Sequence, residues 1–371
     1  MQGWSLFFAI GASQAALLAL ALWRRKVNSE ANRVLAAWTT LVCIDLIVKA
    51  LYFDAPGPDF YVPYRFVALF PFLYGGFFYV YVRALTQARA VSWRDAAHLA
   101  GFAFALAAKA EALLRSRDET AAFLARLADG QPIANHPWYD LALFGYSLSY
   151  IAAALVQVRR YRRRLLSHRS DADRSSLRWI DAMAVSQIAI WCIAVLHWLA
   201  RIPWINYPVI FGAVVLWMFL VGYLSLSQTA VPVEAPDPAQ PREPPPTDDA
   251  RFPAVEARLA QLMAQEALYR EPALTIGQLA KRSGYPEYLV SAVINRRFDG
   301  NFWEYVNRLR VEAVRERLAD PGERRTILDV AYDCGFTSKS TFNAAFKRQL
   351  GLTPSAWRQQ HAAATTRTAS D

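Results

Sequence analysis

Cysteine is scarce in this 371-residue chain, and the three present, Cys43, Cys192 and Cys334, match no metal-site spacing and no disulfide framework. They read as small packing residues. The five histidines, at 98, 136, 168, 197 and 361, are equally scattered. There is no G-x-x-x-x-G-K-[ST] phosphate loop, no H-E-x-x-H and no kinase signature set. With no catalytic constellation, the chain is expected not to be an enzyme and to hold no cofactor or metal. Charged residues are also few, 19% of the chain, and they avoid long stretches of it.

Those stretches are what the sequence has in abundance. Residues 1–227 hold ten of the twelve tryptophans and seven apolar runs, near 4–23, 34–53, 62–82, 95–114, 138–158, 180–200 and 204–225. Each reaches or approaches the roughly 20 residues that a bilayer core requires. The first run does not resemble a signal peptide: Met1 to Gly3 carry no basic charge, whereas Arg24, Arg25 and Lys26 follow it. This pattern suits an uncleaved helix with its N-terminus outside.

Counted from that start, the loops expected in the cytoplasm hold fifteen basic residues. The outer loops hold four: Arg115, Arg117, Arg126 and Arg201. Basic residues collect on the cytoplasmic side of membrane proteins, so the bias fixes the orientation. Seven spans leave everything after residue 226 in the cytoplasm, as expected of a multi-pass protein of the inner (cytoplasmic) membrane. The fourth run is interrupted by Lys109 and Glu111, and without it the C-terminus would fall outside.

Residues 228–250 contain seven prolines, five acidic residues and one basic residue. Such a segment cannot build a core and is expected to be an extended, stiff, acidic linker. From 251 to 371 the chain reads as short amphipathic helices, with Val255, Leu259, Leu262 and Met263 on one face.

Within this part lies an internal repeat at an offset of 51 residues: "TIGQLAKRSGY" (275–285) against "TILDVAYDCGF" (326–336). Thr275 with Gln278, and Thr326 with Asp329, have the spacing of helix-capping pairs. Ala280 and Ala331 are small where two helices would cross. Gly284 and Gly335 supply a left-handed turn. A second helix follows each glycine, near 287–297 and 338–349, and the amphipathic helix 303–318 joins the pairs. Each pair reads as a helix-turn-helix, whose second helix is shaped for a DNA major groove.

The stretch from about 255 to 358 resembles the DNA-binding domain of the AraC/XylS family of bacterial transcription regulators. The resemblance rests on "LTIGQLAKRSGY", "NFWEYVNRLRVEA" and "TILDVAYDCGFTSKSTFNAAFKRQLGLTPSAWR". It implies a seven-helix domain with two recognition helices entering successive major grooves. Carried over by position, the first would present Glu287, Tyr288, Ser291, Ala292 and Asn295, and the second Lys339, Ser340, Asn343 and Ala344. Family members often have arginine where Ala292 and Ala344 stand, so guanine readout is weakened there and contact with a thymine methyl becomes the alternative. Asn295 and Asn343 suit adenine. Each of these polar residues is equally compatible with solvated surface. The helix starts at Thr326 and Ser338, together with Lys347 and Arg348, are the candidate phosphate contacts.

Ionisable groups inside the apolar runs are costly and therefore informative. Asp45 and Lys49 lie one helical turn apart in the second run. They are expected to form an internal ion pair extended by Arg65, with a ligand or proton site as the alternative. Gln187, in the sixth run, is expected to bond a neighbouring helix. The basic segment between the fifth and sixth runs is expected to set topology and meet anionic lipid.

The expected fold is all-α: a seven-helix transmembrane bundle (1–227), the linker (228–250) and a cytoplasmic helical domain with two helix-turn-helix units (251–371). The expected function is a membrane-tethered, sequence-specific transcription regulator that couples a membrane or periplasmic signal to promoter binding. Its partners would be double-stranded DNA, membrane lipid, a second copy of the chain, and a small-molecule or envelope signal that the sequence does not name. The alternative is a transporter or membrane protein with an autoregulatory DNA-binding tail.

Overall fold

The computed structural model describes residues 3–87, 90–129, 137–172, 177–200, 207–226, 231, 249–298, 300–320 and 322–360. The expected linker lies outside the described residues except at 231, 249 and 250. The described residues are helical, and their only extended pairing is an isolated antiparallel bridge between Arg169 and Thr275. The chain divides into two compact units, one of residues 1–159 and 177–236, the other of 160–176 and 237–371.

The first unit contains α1 (Gly3–Arg24), α2 (Ser29–Asp54), α3 (Pro58–Val67) and α4 (Pro71–Thr86). A 3₁₀ turn (Trp93–Leu99) leads into α5 (Ala100–Leu113), and α6 (Arg117–Ala128) follows. The remaining helices are α7 (Pro137–His168), which crosses into the second unit at its end, α8 (Arg178–Ala200) and α9 (Tyr207–Leu226). Seven stretches are long and apolar enough to cross a membrane: α1, α2, α3 with α4, the 3₁₀ turn with α5, α7, α8 and most of α9. They coincide with the seven runs in the sequence.

Three features depart from a simple seven-rod expectation. The third run breaks at 68–70, because Pro71 has no N–H to continue a helix and instead starts α4. Helix α6 is additional. Ser116 and Glu119 cap it reciprocally, a spacing visible in the sequence once sought. Helix α7 does not end near 158 but runs on to His168, since arginine is a good helix former and 159–164 is rich in it.

Packing within this unit uses small residues where helices approach closely. A Cβ on Gly11 would stand 2.6 Å from the Val215 side chain of α9 and 3.1 Å from Leu46 of α2. Glycine at this point lets α1 press against both helices. Arg83 of α4 forms a buried bidentate ion pair with Asp95 of the 3₁₀ turn.

The second unit is built from α10 (Phe252–Ala264), α11 (Ile276–Ser283), α12 (Glu287–Arg297), α13 (Phe302–Ala319), α14 (Ile327–Asp333) and α15 (Lys339–Leu350). Its first core joins Val255, Leu259, Leu262 and Met263 of α10 to Leu279 of α11, Val290 and Val293 of α12 and Val306 of α13. A ladder of rings, Phe336, Phe342, Phe346 and Trp357, packs the second half at centroid separations of 5.2, 5.6 and 6.3 Å. Helix α13 is packed against both α12 and the α14–α15 pair.

Candidate nucleic-acid interface

The two helix-turn-helix units arise from the local chemistry that the repeat anticipates. In the first, the Thr275 hydroxyl accepts from the Gln278 N–H at 3.2 Å, and the Gln278 side-chain oxygen accepts from the Thr275 N–H at 2.8 Å. Helix α11 ends where Gly284 adopts φ +79°. In the second, the Thr326 hydroxyl accepts from the Asp329 N–H at 3.1 Å. Here the hydroxyl also donates to the Asp329 carboxylate at 2.6 Å, which takes the place of a reciprocal cap. Gly335 then turns with φ +94°. A Cβ there would stand 2.7 Å from the Arg270 carbonyl oxygen, so the position excludes any side chain. Ala280 and Ala331 are both buried.

The second recognition helix, α15, displays Lys339, Ser340, Asn343, Ala344, Lys347 and Arg348 on its exposed side, with Phe342 and Phe346 buried behind them. Ser338 caps it, its hydroxyl accepting from the Thr341 N–H at 3.1 Å. The first-turn amides of such a helix have no partner within it and suit an anion. The Thr326 hydroxyl is engaged by Asp329 and the Ser338 hydroxyl also donates to the Thr341 hydroxyl at 3.0 Å, so backbone amides are what remain for a phosphate at both starts. Lys339 and Lys347 carry no carboxylate partner among the described residues, whereas Arg348 is ion-paired to Glu304 of α13.

The first recognition helix, α12, differs. Asn295 is exposed and its amide donates to the Ser291 hydroxyl at 3.4 Å. Glu287, Tyr288 and Ser291 are only partly exposed. The Tyr288 hydroxyl accepts from Arg251 at 3.3 Å. Ala292 is a correction: it is 4% exposed and belongs to the core that includes Val290 and Val293, so it does not face a groove. Its methyl fills space against neighbouring apolar groups that a longer side chain would have to leave.

Sequence inspection missed a buried polar cluster on α13. Asn307 donates to the Ser170 carbonyl at 2.7 Å and to the Trp303 carbonyl at 2.9 Å. Arg310 donates to the Tyr269 carbonyl at 2.7 Å, the Glu271 carbonyl at 2.8 Å and Asn307 Oδ1 at 3.2 Å. Burial pushes the Arg310 guanidinium down to about 10 from its ordinary value, against the raising fields of Asp171 and the Cys334 thiol. The available signal was Asn307 and Arg310 one turn apart on the face that also carries Trp303.

In the first unit, Lys49 Nζ lies 2.6 Å from Asp45 Oδ2, and both side chains are buried. The expected extension by Arg65 is not found. The Tyr74 hydroxyl of α4 reaches Asp45 Oδ2 at 3.4 Å instead, and the Lys49 ammonium sits 3.6 Å from the centre of the Phe211 ring of α9. Arg65 is half-buried on α3. Gln187 is buried on α8 beside Met183 and Ala184. Its amide nitrogen makes no hydrogen bond to a neighbouring helix among the described residues.

Two helix-turn-helix units joined by one long helix define a nucleic-acid-binding domain of bacterial regulators. Residues 279–360 match the family model described as a helix-turn-helix domain. The chain is 33% identical over 89 residues to the regulatory protein SoxS of Escherichia coli, which covers 24% of this chain and 79% of that protein. It is 28% identical over 92 residues to the probable transcription factor PqrA of Proteus vulgaris, covering 25% of this chain and 74% of that one. It is also 27% identical over 118 residues to the transcriptional activator RhaR of Klebsiella pneumoniae, covering 32% and 41%. No solved structure matches the chain. Through its C-terminal third, the chain belongs to the AraC/XylS family of transcription regulators.

Proposed function

We propose that this protein is a membrane-tethered transcription regulator that reads promoter sequences from the inner membrane and couples a membrane or periplasmic signal to that binding. The observation that carries this is the exposed face of α15, with Lys339, Ser340, Asn343 and Ala344, on a chain that also contains seven membrane-length apolar helices. Double-stranded DNA is the partner of that face. Side chains there can reach base edges, and the basic Lys347 and Arg348 follow on the same helix.

Tethering is supported by the outward surface of the first unit. Leu17, Trp23, Val185, Leu199, Leu216 and Tyr223 are 63–74% exposed. Water penalises so much large apolar surface, and acyl chains do not. The charge bias of the loops supports an N-terminus outside and a cytoplasmic DNA-binding unit. In this arrangement the buried Asp45–Lys49–Tyr74 cluster joins α2 to α4, and Lys49 also meets Phe211 of α9, as a polar device through which a signal shifts helix packing.

Selection of random duplexes by the intact protein in detergent micelles tests the DNA half. Recovery of a bipartite motif with half-sites about one helical turn apart is expected. Recovery of unenriched sequence contradicts site-specific reading.

A further inference from the structure

Residues 160–172, between the fifth and sixth apolar spans, pack as part of the DNA-binding unit. Ser170 is fully buried. Its N–H and its hydroxyl both donate to the Leu274 carbonyl, at 3.0 and 2.8 Å, just before the cap of α11. Its own carbonyl accepts from Asn307. The Trp303 indole N–H donates to the Ala172 carbonyl at 2.8 Å. Arg169 and Asp171 clip the turn through two bonds of 2.9 Å. Loops rarely bury backbone polar groups unless partners are supplied, and here α13 and the residue before Thr275 supply them.

The seated segment brings the end of α7 against the first recognition helix: His168 Nε2 lies 3.6 Å from Glu287 Oε1. A major groove is about 12 Å wide and must receive α12 with its DNA-facing side chains clear. A second helix end beside Glu287 occupies space that the wall of the groove requires. The two recognition helices also differ in exposure, Tyr288 being held in addition by Arg251 and the core beneath it. Glu287, Tyr288 and Ser291 on α12 are partly covered, whereas Lys339, Ser340, Asn343 and Ala344 on α15 are all exposed.

We propose that residues 169–172 are an autoinhibitory strap, which holds the end of α7 over the first recognition helix and leaves only the second available to DNA. In the sequence the strap lies between the apolar spans α7, which ends at His168, and α8, which starts at Arg178. A shift of those two spans pulls the strap from the α13 face, frees α12 and completes the two-groove binding mode. This rests on the membrane-tethered function proposed above.

The test uses the intact chain in lipid nanodiscs of phosphatidylethanolamine and phosphatidylglycerol. Two substitutions act from opposite sides. Ser170→Pro removes both donors to Leu274, and Trp303→Phe keeps an aromatic ring but removes the bond to Ala172. Hydrogen exchange of residues 169–172 and 287–291, and affinity for the duplex recovered by selection, are measured together. Both variants are expected to lose protection in 169–172 and 287–291 and to bind the duplex about tenfold more tightly, the factor for a strap seated in about nine molecules of ten. Faster exchange with unchanged or weaker binding overturns the strap as an inhibitor. Unchanged exchange in both variants overturns it as well, because those bonds then do not hold the segment. An alkaline carbonate wash of cell membranes separates the premise: release of the protein there contradicts tethering itself, whereas retention confines any failure to the strap.

Discussion

The side-chain amide of Asn307, on the helix between the two DNA-binding units, donates at 2.7 Å to the carbonyl of Ser170, in the segment between the fifth and sixth apolar spans. The amide is buried, bonds a second carbonyl within α13, and accepts from Arg310. Asn307→Ala therefore strands the Ser170 carbonyl and a guanidinium nitrogen of Arg310 at once, while the Trp303 carbonyl keeps its backbone bond within the helix. An unsatisfied buried group costs about 1–3 kcal/mol. Native-state hydrogen exchange of residues 303–310 in the intact protein is expected to lose protection by an amount in that range, and unchanged protection would show that water replaces the amide at no cost.

Gly335 and Gly351 both adopt left-handed conformations, φ +94° and +73°, but in different surroundings. A Cβ on Gly351 meets nothing within 4 Å, whereas one on Gly335 meets the Arg270 carbonyl oxygen at 2.7 Å. Gly351→Ala should cost about 1–2 kcal/mol, the ordinary penalty for an L-residue in this region. Gly335→Ala adds the clash and should lower the unfolding midpoint further. Equal midpoints for the two variants would contradict the close approach at 335.

The buried Asp45–Lys49 pair should respond asymmetrically to substitution. Asp45→Asn leaves a buried ammonium without its counter-charge, a loss of about 3–5 kcal/mol, whereas replacing both residues with leucine and methionine should cost less. Thermal unfolding in detergent distinguishes these outcomes. If the cluster also carries the signal, Asp45→Asn changes the transcriptional response in cells while leaving the base preference of the intact protein intact.

On α15, Asn343 and Lys347 should fail in different ways. Asn343→Ala is expected to relax preference at one or two bases, by about 1–3 kcal/mol per lost contact. Lys347→Ala should weaken all duplexes alike and reduce the slope of log affinity against log salt by about one. A uniform loss from Asn343→Ala would make it a backbone contact.

The sequence displayed those parts of the fold that depend on local chemistry. The seven apolar runs, the Thr275 and Thr326 caps and the turns at Gly284 and Gly335 each follow from residue type and short spacing, and each recurs in the structure. Contacts made across long separations were illegible. Ser170 meets Leu274 and Asn307 through backbone carbonyls, which every residue possesses, so no side-chain pattern marks them. Ala292 shows the same limit: positional analogy put it on the DNA side of α12, but whether a small residue faces solvent or core depends on what packs against it. Arg65 stood in a neighbouring run and was a natural third member of the Asp45 pair, yet Tyr74, on α4 beyond the break at 68–70, is the residue that reaches Asp45.

Chromatin immunoprecipitation of the intact protein, from cells in which it is shown to remain in the membrane fraction, tests the central claim most directly. A regulator reading DNA from the membrane should yield discrete promoter peaks that share the motif selected in vitro and vanish when the exposed face of α15 is removed by Lys339→Ala with Asn343→Ala. Diffuse enrichment, or none while the protein stays membrane-bound, would contradict promoter reading by the tethered chain.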